Sequence, residues 1–403
     1  MTLGGQKLLT SIDISYADTF IHYNYDFCAI LENYGFDNDE FQECLTLNLY
    51  DPDESKTFTP NTVLSPWRDV SDSLDITQWG SDIFNINGKK VNATFALANI
   101  TMIEVNTLAL GFPKSEITNL TPEYNINPSG VVYDNFLQSL KNQGIISRLG
   151  YSVVFNGDKK TGRVILGGVD NKRYKNMVTV PLNDTTETTT QVMVDFLSVD
   201  FNDTSAEITD DPLVLQISNN YDGLFLPSAA YRKFFDNLDV REVQGQYAID
   251  KSILEESDLS LNLEIGDLTI EIPWEDFTIE QDHVSFVNSS GDLIIDNSTD
   301  TSSNSSTVLF SVYISGEDTM YIGDSFLRNA YVFIDMEDKT VSLGNLVSTN
   351  SSDVQSVDAM PITQPSDSSP TESQEDGNDS AGSKIYVHWV MLLSIFLLFT
   401  DFI

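Results

Sequence analysis

Short apolar runs cut off by turn-forming residues fill residues 1–348, and that rhythm points the chain to a β-rich fold. Tyr151-Ser152-Val153-Val154-Phe155 stops at Asn156-Gly157. Arg163-Val164-Ile165-Leu166 is bracketed by Gly162 and Gly167-Gly168, and Tyr331-Val332-Phe333-Ile334 ends on Asp335. Branched and aromatic side chains suit a pleated strand, while Gly, Asn, Asp and Pro supply the angles that reverse it. Long helical periodicity is scarce; Val132–Asn142 and Ala229–Leu238 carry apolar residues at helical spacing. Many strands and few short helices in 403 residues suit two lobes with a tail, or one large all-β unit.

A weak internal duplication favours two lobes. Asp13-Ile14-Ser15 follows an apolar strand containing Leu8, Leu9 and Ile12, and the run Ala109-Leu110-Gly111 comes later in the same half. Ser218-Asn219-Asn220 follows Leu213, Val214, Leu215 and Ile217, and Tyr321-Ile322-Gly323 comes later in its half. Each half pairs a strand-end loop with a hydrophobic-hydrophobic-glycine run.

The chain carries 61 Asp and Glu against 21 Lys and Arg, a net charge of −40. Such a surface repels nucleic acid and anionic headgroups, so no nucleic-acid partner is expected. It suits solubility outside the cell or in an acidic setting, and a solvated acidic shell explains it without any partner. Three scattered histidines (His22, His283, His388) and two cysteines do not make a common zinc site, and no cofactor is expected. A single local disulfide between Cys28 and Cys44 follows if the chain is exported.

Export has support of its own. Asn-X-Ser/Thr sequons stand at Asn92, Asn99, Asn119, Asn183, Asn202, Asn288, Asn297, Asn304, Asn350 and Asn378, while Pro128 spoils Asn127. From about Ser348 to Ser383 the chain turns to Ser, Thr, Asp, Asn, Pro and Gln, too polar to offset its own ordering entropy. The small residues from Gly377 to Gly382, a polar spacer and the apolar run from Trp389 towards Ile403 form the pattern of a glycolipid-anchor signal, with Asn378 as attachment site. A transmembrane helix is the alternative; the stretch is barely long enough, and Asp401 is awkward for either reading. Both need an N-terminal signal peptide, which Met1-Thr2-Leu3-Gly4-Gly5 does not provide. A mis-assigned start or a fragment lacking the first strands is therefore expected.

Three longer stretches resemble the pepsin-like aspartic proteases, and most closely their fungal surface-anchored branch, the yapsins. They are Gly111-Phe112-Pro113-Lys114-Ser115 with Tyr133 to Arg148 and Tyr151-Ser152-Val153, then Gly162 to Tyr174, then Ile322 to Asp335. The resemblance covers roughly residues 3–346 and implies an all-β, bilobal pepsin-like fold. It divides the chain into an N-terminal lobe (1–174), a C-terminal lobe (175–347), a disordered Ser/Thr-rich stalk (348–384) and a hydrophobic tail (385–403).

The family's chemistry needs two carboxylates, one per lobe, each in an Asp-Thr/Ser-Gly turn. Held about 3 Å apart, they cannot both ionise. One stays protonated while the other activates a shared water, and the pair titrates as a unit. The first turn here reads Asp13-Ile14-Ser15-Tyr16-Ala17-Asp18: the first aspartate and Asp18 are kept, the hydroxyl residue and the glycine are lost. In the second turn Ser218-Asn219-Asn220 stands in the place of Asp-Ser-Gly, fixed by the Leu224-Phe225-Leu226-Pro227 landmark. Ser218 cannot act as a general base near neutral or acidic pH. Ile14 cannot make the hydroxyl bonds that lock the family's turns together, and Ser15 and Asn220 occupy glycine positions, where a positive φ is a concern. Thr77 to Asp82 keeps the end of the family's flap hairpin; the flap tyrosine is missing, and Trp67 is the candidate to replace it.

Three functions compete. The first is a pseudoprotease at the cell surface or wall, membrane-held by a lipid anchor, monomeric, whose cleft takes an extended peptide or protein. The second is an active acid endopeptidase in which Asp13 finds another partner; Asp222, four residues past Ser218, is the candidate if the loop shifts register, against which the Leu224-to-Pro227 landmark argues. The third is a passive glycosylated wall protein. The pseudoprotease reading is the expectation carried forward.

Overall fold

The computed structural model describes residues 1–23, 49–68, 74–101, 106–119, 131–183, 188–202, 204–221, 223–236, 238–243, 246–280, 285–287, 293–295, 307–349, 351–357 and 384–388. Cys28, Cys44, Asp222, Asn288, Asn297, Asn304, Asn350 and Asn378 lie outside them.

In the first lobe, β1 (Thr10–Asp13) runs into the first turn and β2 (Phe20–His22) leaves it. A long hairpin, β3 (Leu74–Ile86) and β4 (Lys89–Thr101), is followed by β5 (Asn106–Ala109). β5 pairs parallel to β1, bringing Ala109 beside Asp13, and β2 pairs parallel to β4. The helix α1 (Phe136–Asn142) begins four residues later than the Val132 start read from periodicity. Asn135 caps it, accepting the Gln138 N–H while Gln138 reaches back to the Asn135 N–H. That reciprocal box satisfies two otherwise orphaned donors and sets the start.

The second lobe repeats the arrangement. Strand β6 (Gly150–Phe155), β7 (Thr161–Leu166), β8 (Gly168–Asp170) and β9 (Tyr174–Pro181) lead into it. The hairpin β10 (Phe196–Phe201) and β11 (Thr204–Glu207) precedes β12 (Leu213–Ile217), which enters the second turn; β13 (Leu224–Leu226) leaves it, and α2 (Ser228–Phe235) follows. β12 pairs parallel to β15 (Thr319–Ile322), and β13 pairs parallel to β14 (Val312–Ile314). This matches the crossing of the first lobe strand for strand. The two glycines of the duplicated motif have one job. A Cβ on Gly111 would strike the Ser15 and Tyr16 carbonyls, and one on Gly323 the Tyr221 and Ser218 carbonyls, so only glycine lets each turn lie against the strand behind it.

Both halves contribute to a six-stranded antiparallel sheet. Its order is β9, β17 (Thr340–Leu346), β16 (Ala330–Asp335), β6, β7 and an edge strand over Lys384–His388. The boundary read between residues 174 and 175 falls inside β9, within this shared sheet. One apolar cluster runs from Ile12 and Ile14 through Tyr151 to Leu215 and Ile322, so the two turns rest on a single core.

The polar stretch assigned to a stalk from residue 348 is partly folded. β18 (Val354–Ser356) pairs with β8, and Val357 is buried. Asp170 accepts bonds from Ser352 Oγ at 2.6 Å and the Asp353 N–H at 2.7 Å, and Arg173 donates to the Thr349 carbonyl. Composition missed this because the segment is held by hydrogen bonds to buried charges, and only Val357 among its residues is a buried apolar side chain. Among the described residues, no helix is long and apolar enough to cross a membrane.

Candidate active site

Strands β1 and β12 deliver the two turns to the same place. Asp13 and Ser218 are both buried, and the turns touch through side chains: Ser15 Oγ and Ser218 Oγ lie 2.5 Å apart. Asp13 Oδ1 accepts the backbone N–H groups of Ser15 at 2.6 Å and Tyr16 at 2.9 Å. The Asn220 side chain also bonds the Asp13 carboxyl, while the Asn220 N–H donates to Ser218 Oγ at 3.1 Å.

Burial pushes the Asp13 carboxyl above its usual range, opposed by its bonds to Tyr16, Ser15 and Asn220. Removal from water penalises the ionised form, whereas each donor favours it. Among the described residues, no second carboxyl hydrogen-bonds or perturbs Asp13. Across from Asp13 stand hydroxyl and amide groups, which can hold a water or a peptide group and have no proton-accepting strength near neutral or acidic pH.

Two expectations at the turns need correcting. Neither Ser15 nor Asn220 takes a positive φ, so these replacements of glycine carry no left-handed strain. The lock between the turns also survives the loss of a hydroxyl at Ile14. Asn219 Oδ1 accepts the Ile14 N–H at 2.9 Å, and Asn219 Nδ2 donates to the Ile12 carbonyl at 2.8 Å. Ile14 turns its side chain into the core, 3% exposed, and its carbonyl accepts a bond from Tyr151 OH at 3.4 Å. The sequence showed an asparagine in the second turn; that it bridges to residues 12 and 14 depends on how the lobes meet.

A buried acidic group beneath the first turn was not anticipated. Asp18 accepts Tyr133 OH at 2.6 Å and the Ile117 N–H at 2.8 Å. Glu116 accepts the Tyr133 N–H at 3.2 Å through Oε2, and its Oε1 meets no donor among the described residues. Burial raises Asp18 to about 6 and Glu116 to about 8, with the Asp18 charge adding to the rise at Glu116. Asp18 is a retained motif position and Tyr133 opens a resembling stretch, but nothing local in the sequence marks Glu116 or joins the three.

Trp67 pairs through its backbone with Ile76 and packs, half-buried, against the cluster of Phe20, Ile76 and Trp79. Trp79 is fully buried, donates Nε1–H to the Ser65 carbonyl at 2.9 Å and meets Tyr133 edge-on. Trp67 is thus held as a packing residue of the cluster that contains Trp79. Residues 69–73, which follow Arg68, lie outside the described ones.

Three of the sequon asparagines have described side chains, Asn92, Asn183 and Asn202, and each is exposed.

The family model for eukaryotic aspartyl proteases matches residues 35–346. That range includes Ser218 and begins after Asp13. The chain is 27% identical over 314 residues to secreted aspartic protease 9 of Candida albicans, covering 74% of this chain and 52% of that protein. It is 30% identical over 269 residues to candidapepsin of Candida tropicalis, covering 65% and 57%. With aspartic proteinase yapsin-3 of Saccharomyces cerevisiae it shares 23% over 316 residues, covering 75% and 58%. The chain thus spans about half the length of the curated relatives it matches.

Proposed function

The chain belongs to the eukaryotic aspartyl protease family, and from that premise we propose that it is a catalytically impaired, yapsin-like member that holds extended peptide in its cleft. The observation carrying this reading is that Ser218, at the sequence position the family gives its second aspartate, presents a hydroxyl 2.5 Å from that of Ser15, two residues past Asp13. Peptide hydrolysis by this fold needs one carboxyl to donate a proton while the other, ionised, takes one from water. Protonated Asp13 can donate to a peptide carbonyl and leaves no base for the water; ionised Asp13 can accept from water and leaves no acid for the carbonyl. Ser218 and Asn220 fill neither role near neutral or acidic pH. They are suited to hydrogen-bonding a bound peptide backbone, as in strand-addition recognition.

The same reading places the chain on the cell surface or in the wall, as a monomer joined to the membrane by a lipid at Asn378. Support comes from the tail's small-residue, spacer and apolar pattern and from sequon density. Release of the protein from intact cells by a glycolipid-specific phospholipase tests the anchor.

The activity test uses secreted full-length protein with an unfolded protein substrate at acidic pH, with and without a transition-state-mimicking inhibitor of pepsin-type enzymes. The expected result is no inhibitor-sensitive cleavage, together with retention of peptides from a random library. Cleavage that the inhibitor blocks and Asp13→Asn abolishes overturns the reading in favour of an active acid endopeptidase. An empty library capture overturns peptide binding and leaves a passive wall protein.

A further inference from the structure

Among the sequons, Asn202-Asp203-Thr204 has a setting of its own. Phe201 and Thr204 are paired across the β10–β11 hairpin, so its loop has Asn202 at the first position, exposed, with φ of 53°. Asparagine tolerates that left-handed conformation better than most residues, and such a loop tip is a surface feature. Beside it is a cavity of about 180 Å³ lined by Val199, Phe201, Thr204, Ala206 and Phe234. Register explains the lining. Val199 faces Ala206 and Phe201 faces Thr204 across the ladder, and alternate residues share one face of a hairpin. Phe234 comes from α2. The sequon's threonine and the residue preceding its asparagine therefore both belong to the cavity wall.

We propose that Asn202 carries an N-linked glycan whose first N-acetylhexosamine ring packs over this cavity against Phe201 and steadies the second lobe. A pyranose has an apolar C–H face and a hydroxyl-bearing edge. The C–H face suits the negative face of the Phe201 ring, and the edge remains in water. A neutral sugar also adds no charge to a chain with net charge −40. The joining step consumes a lipid-diphosphate-linked oligosaccharide supplied by the secretory host's transferase. A C–N bond forms between the anomeric carbon and Asn202 Nδ2, the anomeric C–O bond to the diphosphate breaks, and the amide gives up one proton as the lipid diphosphate leaves.

The test uses the full chain secreted from a glycosylating host. Peptide mapping reads occupancy at Asn202. Wild-type and Asn202→Gln proteins, both trimmed enzymatically to the first sugar at every occupied site, are then compared by thermal unfolding. The expected result is occupancy at Asn202 and a melting temperature about 2–4 °C higher for the wild type. The same comparison in a Phe201→Ala background is expected to show no difference. Ala206→Met fills the cavity instead of enlarging it and is expected to remove the difference too. An unmodified Asn202, equal melting temperatures, or a difference that persists in both backgrounds overturns the proposal. Peptide retention by the cleft is a separate assay, and Asn202→Gln is expected to leave it unchanged.

Discussion

Asn219 holds the backbone on both sides of Asp13, taking the N–H of Ile14 at 2.9 Å and giving its own N–H to the carbonyl of Ile12 at 2.8 Å. A side-chain amide does from the second turn what paired hydroxyls would do from both, because it offers a donor and an acceptor together.

Asn219→Ala should therefore strip two partners from the buried seam between the lobes. Leaving a buried N–H and a buried carbonyl unpaired costs about 1–3 kcal/mol each. Urea unfolding should show a loss in that range or above it, and Asn219→Asp, which keeps the acceptor and drops the donor, should fall between the variant and the wild type. Equal stability of all three proteins would show that the bridge contributes nothing.

Restoring the missing acid is the sharpest check on the site. Ser218→Asp with Asn220→Gly should produce inhibitor-sensitive cleavage of an unfolded substrate at acidic pH where the parent protein shows none. Addition of Asp13→Asn should abolish it. Placing a second carboxyl beside the buried first should also make the doubly ionised state unfavourable. The variant's stability is then expected to fall relative to the parent as pH rises, measured by thermal unfolding across the acidic range.

The acidic group under the first turn sets a pH dependence of its own. The folded values of Asp18 and Glu116, about 6 and about 8, lie above the ordinary carboxylate range. Groups raised in this way bind protons more tightly when folded. Their contribution to stability is thus complete below the unfolded values and is lost as pH rises through 6 and then 8. Tyr133, Asp18 and Asp134 are the titratable groups bearing on Glu116. Glu116→Gln should flatten the decline between pH 6 and 8, read as melting temperature against pH. An unchanged slope would place the effect elsewhere.

The folded segment beyond residue 347 makes a fourth prediction. Asp170 is fully buried, faces Arg163 at 3.4 Å, and receives Ser352 and the Asp353 N–H. Asp170→Ala removes those partners at once and should cost about 3–5 kcal/mol, the scale for breaking a buried ion pair. Chain truncation after Thr349, which spares Asp170, should cost less. Chemical denaturation of both variants measures the difference; equal losses would mean the segment, not the charge, is what matters.

Much of the architecture was legible because it rests on local pattern. Strand rhythm, the Gly111 and Gly323 motifs and the Leu224-to-Pro227 landmark are each contained in a few residues, and each led to the correct element. The expected helix at Ala229–Leu238 appears as Ser228–Phe235 for the same reason. Long-range partnerships were not legible. Asn219 has meaning only when Ile12 and Ile14 are beside it, Glu116 only when Asp18 and Tyr133 close over it, and Ser352 and Asp353 only against Asp170. Hydrogen-bond partners far apart in sequence leave no periodicity to read.

The shared six-stranded sheet also bears on how such a chain is made. β6 exposes an edge at Gly150–Val153 until Val332–Asp335 arrives to pair with it. At ordinary synthesis rates, the chain between them takes on the order of ten to forty seconds to emerge. Throughout that interval Tyr151 and Val153, both buried in the finished protein, have no partner strand on that side. A nascent chain with such an edge invites pairing with its neighbours on the same ribosome cluster. Biogenesis should depend on a holding chaperone until the last strands leave the ribosome.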